Sequence, residues 1–300
     1  MSPSILIAGA TGNTGRSTTE TLSKLLQAPR LSSTQPPNPR PHTFSKKPNR
    51  PTPRYSPGLT RAFIASHNKP TQFADESTFY LALLHAGVKY VVRISTTAAF
   101  VRPDAIAYYP RAHWAIEALL ESSEFKAMHW TSMQPNIFGS YFVGPAAEFI
   151  KEYRKTGRAD TELKLMAAKD GAAGIIDPHE VGVFAAHLLV QEDTAVHSGK
   201  RYVLNGPENI SGEGVVRMIE RAIGVPVENV RYKDMSALDA YLEMEYKVSD
   251  VSHNVISSIR RASVSAWDGE WPCPPTSKEV LELAPPKRTP QQMLDSALQQ

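Results

Sequence analysis

Residues 4–17 read SILIAGATGNTGRS, and this stretch decides the fold. Its first half is a short, continuous apolar run, which is typical of a parallel β-strand covered on both faces. Glycines then stand at positions 9, 12 and 15, and a helical pattern follows over residues 16–27. A strand, a turn with glycine at every third position and a helix, in this order, predict a dinucleotide-binding unit.

Each glycine of this turn meets a different physical demand. Gly9 permits the tight turn, Gly12 lets the backbone approach a pyrophosphate, and Gly15 allows the helix to pack closely on the strand. The free N–H groups of the helix N-terminus favour phosphate. We therefore predict cofactor contacts from the whole turn, namely Gly9, Thr11, Gly12, Asn13, Thr14 and Gly15. The alternative is a tight turn without a ligand.

Arg16 follows the turn directly and favours NADP(H) over NAD, because its guanidinium could pair with a ribose 2′-phosphate. The alternative for Arg16 is a solvated helix residue.

The rest of the chain alternates between strand and helix patterns. Strands are predicted at 61–66, 88–96, 127–133 and 200–206, and helices at 71–86, 110–122 and 178–190. Such alternation predicts an α/β protein with a Rossmann-like, doubly wound parallel sheet. We expect residues 1–206 to form the NAD(P)-binding domain, with 139–174 contributing to a substrate lobe, and residues 207–300 to form a small C-terminal lobe. Helix caps are expected at Asp177, Ser211, Thr276 (with Glu279) and Thr289.

Composition excludes several classes of protein. The net charge is only +3, so a nucleic-acid footprint is not expected. Cys273 is the single cysteine, which excludes an internal disulfide and a multi-cysteine metal site. We expect no metal, because no His, Asp or Glu groups show ligand spacing. No apolar run reaches the roughly 20 residues of a membrane span, and the N-terminal run is too short for a signal peptide. The expected setting is cytoplasmic, with a small-molecule substrate.

Residues 28–58 interrupt the alternation where a second strand is due. Nine of these thirty-one residues are proline, six are lysine or arginine, and none is acidic. Proline lacks a backbone donor and biases the preceding residue away from helix, so neither helix nor central strand can run through. We predict that residues 29–57 form a disordered, proline-rich insert.

Five segments in series resemble the NmrA-like family of atypical short-chain dehydrogenase/reductase relatives, and its fungal members most of all. They are ILIAGATGNTGRS (5–17), AGVKYVVRIST (86–96), YYPRAHWAIEALL (108–120), WTSMQPNIF (130–138) and GIIDPHEVGVFAAHLL (174–189). The resemblance implies a Rossmann domain with a small C-terminal lobe that binds NADP(H) more often than NAD. It also implies one of two functions. Members are small-molecule reductases, quinone reductases among them, or regulators that sense the NADP(H) state without turnover and act through protein partners.

The chain departs from that family within the proline-rich stretch. HTFSKKP (42–48) is the only remnant of a second strand, with Lys46 or Lys47 at its basic end, and the third strand has no counterpart. These strands normally flank the adenosine half of the site, so the first strand is expected at the sheet edge. We interpret the stretch as non-core sequence in place of core structure, as an altered exon would produce. A third reading follows, a degenerate chain that binds no dinucleotide.

The resemblance also implies a catalytic set, with one substitution. Short-chain dehydrogenases use a serine or threonine at a strand end and a Tyr-x-x-x-Lys sequence on the next helix. Here Ser95 and Thr96 end a strand, and Tyr109 is followed by His113 in place of lysine. A mostly neutral imidazole depresses a tyrosine pKa less than an ammonium does. Tyr109 and His113 are the catalytic candidates; alternatively His113 contacts the ribose or substrate, or pairs with Glu117 one turn on.

Two further groups follow predicted strands, where doubly wound folds bind ligands. Ser66, His67 and Asn68 are expected to line the cofactor, and Asn136 to lie near the nicotinamide or substrate. Gln134 stands where the family has arginine. For each group the alternative is an ordinary polar loop. Three functions stay open: an NADPH-dependent oxidoreductase of a small quinonoid or aromatic molecule, a non-catalytic NADP(H)-sensing regulator, and the degenerate chain.

Overall fold

A computed structural model describes residues 4–26, 58–262 and 275–299 of the chain. The predicted insert 29–57, with Lys46 and Lys47, and Cys273 lie outside these residues.

The described residues form ten strands, five of which make the central sheet. The strands are β1 (Ser4–Ala8), β2 (Leu59–Ile64), β3 (Tyr90–Ile94), β4 (His129–Pro135), β5 (Ile137–Phe138), β6 (Leu163–Lys164), β7 (Ala173–Ile176), β8 (Lys200–Leu204), β9 (Asn209–Ile210) and β10 (Val230–Arg231). The central sheet has the order β1-β2-β3-β4-β8, and all its neighbours pair in parallel.

The described residues wholly contain ten α-helices, of which some cover the two faces of this sheet. They are α1 (Asn13–Leu25), α2 (Gln72–His85), α3 (Tyr108–Leu120), α4 (Ser140–Thr156), α5 (Pro178–Leu189), α6 (Gly212–Ile223), α7 (Ser236–Val248), α8 (His253–Ser257), α9 (Lys278–Leu283) and α10 (Pro290–Gln299). Apolar side chains of α1 and α5 pack on one face, and those of α2 and α3 pack on the other. The predicted Rossmann-like, doubly wound fold is confirmed.

Strand β1 lies at the edge of the described sheet, as the sequence predicted, and pairs there with β2. Ile5 and Ile7 are buried, whereas Leu6 between them is only half-buried. Successive side chains of a strand point to opposite faces, so one face of β1 is less covered than the other.

Several element ends differ from the sequence prediction by two residues. Helix α3 begins at Tyr108 rather than at residue 110. Pro110 is thus its third residue, where the missing N–H has no acceptor inside the helix in any case. Strand β2 lies two residues earlier than predicted, β4 lies two residues later, and β3 is two residues shorter at each end.

Three of the four predicted helix caps are present. Asp177 Oδ1 accepts from the backbone N–H of His179 at 2.7 Å, and Ser211 Oγ accepts from that of Gly214 at 3.2 Å. Thr289 Oγ1 accepts from the backbone N–H of Gln292 at 3.2 Å. The prediction for Thr276 is wrong.

Ser277 stands at the N-cap position of α9 but makes no capping hydrogen bond there, and its Oγ accepts from the backbone N–H of Val203 at 2.9 Å. The hydroxyl of Thr276 instead accepts from the backbone N–H of Asn205 at 3.1 Å, so it ties this segment to the end of β8. Two adjacent hydroxyl residues precede this helix, and the sequence pattern alone does not distinguish them.

A second hydrophobic core lies beside the sheet. It joins side chains of α4, α6 and α10 with β6 and β7, and its fully covered members include Ala146, Ile150, Ile175, Val215, Ile219 and Leu294. Chain segments before and after residue 206 both contribute to it.

Candidate active site

The glycine turn connects β1 to α1 and is held by close backbone contacts. Gly9 has φ +88°, and a Cβ atom there would lie 2.6 Å from the carbonyl oxygen of Ala65. A Cβ at Gly15 would lie 2.1 Å from the carbonyl oxygen of Gly9. Both positions therefore need glycine for the turn to form and for the helix to pack on it.

Gly12 differs, because no packing contact requires it to be glycine. It is exposed, and the only atom near a Cβ there would be the carbonyl oxygen of Gly9, at 3.4 Å. Gly12 is the N-cap of α1, with extended backbone and no side chain capping the helix. The first-turn N–H groups, which have no acceptor inside the helix, thus stand beside an open cradle. The geometry fits a pyrophosphate.

The other residues of the turn take different positions. Thr11, Asn13 and Arg16 are exposed beside the cradle. Thr14 is 6% exposed, so its side chain packs inward and its backbone N–H is the group that remains for a phosphate. Helix α1 packs closely on α5 at this point. A Cβ at Gly182 of α5 would lie only 2.4 Å from the carbonyl oxygen of Thr14.

The structure brings the other predicted cofactor residues to the same edge of the sheet. Ser66, His67 and Asn68 follow β2, Ser95 and Thr96 follow β3, and Asn136 follows β4. The carboxyl ends of parallel strands meet at one edge, which is where doubly wound folds bind ligands. The loops are linked, because Thr97 Oγ1 donates to Asn136 Oδ1 at 3.3 Å.

Two features of this edge point to a ligand. The Oγ atom of Ser95 is buried and has no hydrogen-bond partner among the described residues. The side chains of Tyr109 and Thr96 lie near each other. Burial raises the pKa of Tyr109, an effect that the Thr96 side chain opposes and Tyr141 adds to. Tyr109 therefore keeps its proton at neutral pH.

Behind the site lies a buried ion network centred on Arg93, in the middle of β3. Its guanidinium is fully buried and lies 3.3 Å from Glu76 and 3.5 Å from Glu117, which are nearly as buried. Arg93, Ser132 and Arg201 are neighbours across β3, β4 and β8. Glu117 joins all three: it accepts from Ser132 Oγ at 2.6 Å and from Arg201 Nε at 2.5 Å.

The network satisfies its charges with further polar contacts. Tyr80 donates its hydroxyl to Glu76 at 2.7 Å, and Arg93 Nε donates to that same hydroxyl at 3.2 Å. Gln134 Nε2 donates to Glu117 at 3.5 Å. Burial alone would lower the pKa of Arg93, but Glu76, Tyr80 and Glu117 together raise it. Arg93 is therefore a permanent buried cation.

His113 belongs to this network rather than to an open pocket. It is 2% exposed, its Nδ1 lies 2.8 Å from Arg93 Nη2, and its Nε2 lies 3.1 Å from Asn68 Oδ1. Glu117, the alternative partner one turn on, is engaged by Arg93, Ser132 and Arg201. Burial and the adjacent Arg93 hold the pKa of His113 well below its usual range. His113 is therefore neutral, and it does not supply the cation that lysine would.

Sequence reasoning missed the ion network and three tyrosines. Arg93 stands inside the apolar run YVVRI, and a charge at the centre of a buried strand was the available signal. Tyr108 donates its hydroxyl to the backbone oxygen of Asn68 at 2.7 Å. Tyr141 and Tyr241 interact electrostatically with Tyr109 and Tyr108 respectively. Nothing in their sequence spacing indicates this convergence.

The described residues contain no group of three or more His, Cys, Asp or Glu side chains arranged to hold a metal ion. Among the same residues, no helix is long and apolar enough to cross a bilayer.

Comparison with known proteins gives distant relatives. No family model matches the chain. It is 25% identical over 170 residues to a (4-alkanoyl-5-oxo-2,5-dihydrofuran-3-yl)methyl phosphate reductase of Streptomyces griseus. It is 25% identical over 173 residues to an NAD(P)H azoreductase of Xenophilus azovorans. The matches cover 57% and 58% of this chain, and the chain spans about half (54%) of the length of each relative.

Solved structures resemble the whole chain. An NADPH-dependent quinone oxidoreductase of Escherichia coli, complexed with NADPH, has a TM-score of 0.65 at 17% identity, covering 97% of this chain and 99% of its own. A triphenylmethane reductase of Citrobacter sp., complexed with NADP(H), has a TM-score of 0.65 at 15% identity, covering 98% and 100%. At these identities the likeness shows the fold, which is that of NAD(P)-binding reductases.

Proposed function

We propose that the protein is an NADPH-dependent oxidoreductase of a small quinonoid or aromatic molecule, in the NmrA-like branch of the atypical short-chain dehydrogenase/reductases. One juxtaposition carries the proposal. The open cradle at Gly12 and the neighbouring side chains of Thr96 and Tyr109 lie at one edge of a parallel sheet. The names of the relatives support the class, since they include an azoreductase and a quinone oxidoreductase.

The roles of the residues follow from this arrangement. NADPH supplies a hydride when bound. The first-turn N–H groups beside Gly12 hold its pyrophosphate, Arg16 pairs with its 2′-phosphate, and Ser95 and Asn136 lie toward the nicotinamide end. Tyr109 donates its proton to the substrate oxygen as negative charge develops there, and recovers a proton from solvent. Its raised pKa keeps the hydroxyl protonated at neutral pH, but it also makes Tyr109 a weaker proton donor than a tyrosine beside a lysine.

One observation favours the alternative function, a non-catalytic regulator that senses NADP(H). His113 is neutral and buried, so Tyr109 lacks the adjacent ammonium that assists proton transfer in short-chain dehydrogenases. In this reading the phosphate cradle binds the cofactor without turnover, and a protein partner responds to it. We further propose the domain division given above, at residue 206 with 139–174 in the substrate lobe.

NADPH oxidation with a panel of quinones, azo dyes and ketones separates the readings. We expect turnover with a quinone or azo acceptor, and a loss of about 10²-fold or more in kcat for Tyr109→Phe, which keeps the ring and removes the proton. The matched control is Tyr153→Phe, near the end of α4 and twelve residues beyond Tyr141. NADPH binding without turnover on any acceptor supports the regulator. An unchanged kcat in Tyr109→Phe removes the assigned role of this tyrosine.

A further inference from the structure

We propose that His113 is a positioning residue, which holds the side chain of Asn68 so that the amide NH₂ of Asn68 faces the ligand. The inference rests on the proposed function for the identity of that ligand, NADPH. In this role His113, which stands where the family has lysine, does not need a positive charge.

The donors and acceptors in these hydrogen bonds determine how the side chains of His113 and Asn68 are oriented. A guanidinium can only donate, so His113 Nδ1, at 2.8 Å from Arg93 Nη2, must accept and carries no hydrogen. A neutral imidazole has one N–H, which then lies on Nε2. That N–H donates to Asn68 at 3.1 Å and therefore requires the amide oxygen, not the nitrogen, at the contact. The amide NH₂ is left on the opposite side.

Helix α3 also holds the backbone of Asn68. The hydroxyl of Tyr108, five residues before His113 on the same helix, donates to the Asn68 carbonyl oxygen at 2.7 Å. The helix thus holds both the main chain and the side chain of a residue that is itself exposed. Asn68 follows β2, and β2 lies between β1, which ends at the glycine turn, and β3, which ends before Thr96. The loop that carries Asn68 therefore stands at the part of the edge where the proposed ligand would run from the phosphate cradle toward Tyr109.

The rigid element of this arrangement is Arg93. Its guanidinium is fully buried and bound by Glu76 and Glu117, so it cannot turn away from His113. A donor that is fixed before the ligand arrives costs no ordering free energy on binding. Lysine at position 113 would put a second cation against Arg93, which explains why the family's residue is not tolerated here.

A double-mutant cycle of His113→Phe and Asn68→Ala tests whether His113 acts through Asn68. Each single variant is expected to lose about tenfold in kcat/KM for NADPH, the size of one hydrogen bond. If His113 acts through Asn68, the double variant also loses about tenfold, because the amide is already gone. A loss of about a hundredfold, the product of the two single losses, would overturn the proposal.

His113→Gln is the rescue variant, because its amide can accept from Arg93 and donate to Asn68. We expect it to keep kcat/KM within about threefold of wild type, and His85→Phe, an exposed histidine on α2, to match wild type. The nitrogen NMR spectrum of the free protein is expected to show His113 as a neutral Nε2–H tautomer. A protonated ring or the Nδ1–H tautomer at neutral pH would contradict the proposal without any cofactor. Absence of NADPH binding in wild type, with that tautomer present, would instead count against the proposed function.

Discussion

Gly12→Asp is expected to abolish NADPH binding and to leave the protein at least as stable as wild type. Gly12 is the N-cap of α1, its backbone is extended, and no side chain caps the helix. Aspartate is a preferred N-cap residue, and its gain over glycine is a few tenths of a kcal/mol. Its carboxylate would lie in the cradle where phosphate binds, so we expect about 100-fold or more loss of NADPH affinity through repulsion and blocked approach.

The measurements are urea denaturation and calorimetric titration of the same samples. Ser211→Asp is the matched control, because it places the same charge at the N-cap of α6, in the second core. It should bind NADPH as wild type does. Retained affinity in Gly12→Asp at unchanged stability would show that this turn does not hold the phosphates.

Arg93→Met is expected to cause the largest loss of stability. Methionine fills part of the volume but leaves Glu76 buried without a cation and Glu117 with Arg201 alone. Removing one partner of a buried ion pair typically costs about 3–5 kcal/mol, and this arginine serves two carboxylates. That is a large share of the roughly 5–15 kcal/mol that stabilises a folded domain.

Urea denaturation followed by circular dichroism measures this loss. The control is Arg217→Met, which breaks an exposed pair with Glu213 on α6 and should cost less than about 0.5 kcal/mol. A loss below about 1 kcal/mol for Arg93→Met would mean that the buried carboxylates find other partners.

The parts of the fold that follow from local rules were predictable from the sequence. The apolar run before Gly9, the glycine spacing and the caps at Asp177 and Ser211 depend on neighbours a few residues away. The parallel sheet then follows from the alternation of strands and helices. Thr276 shows the limit, because its hydroxyl binds Asn205, 71 residues earlier in the chain.

The sequence predicted that the candidate site lies at the carboxyl edge of the parallel sheet. It did not predict the buried ion network of Arg93 behind that edge. The spacing of the sequence identifies Thr96 and Tyr109 as candidates, and in the structure the two side chains lie near each other. It did not predict that His113 turns inward to Arg93, because that contact depends on the packing of α3 against β3. The sequence therefore shows that histidine replaces the family's lysine at position 113. Only the structure shows the consequence, which is a neutral ring bound to Asn68.

Calorimetric titration of the wild-type protein with NADPH and NADH measures the proposed cofactor site directly. We expect one site per chain, with NADPH bound more tightly than NADH, and a preference that is reduced in Arg16→Ala. Binding is expected to be weaker than sub-micromolar, because residues 28–58 carry nine prolines where the sequence should supply the strands of the adenosine side. No binding heat at millimolar NADPH, together with an unshifted melting temperature, would show that the protein does not bind this cofactor.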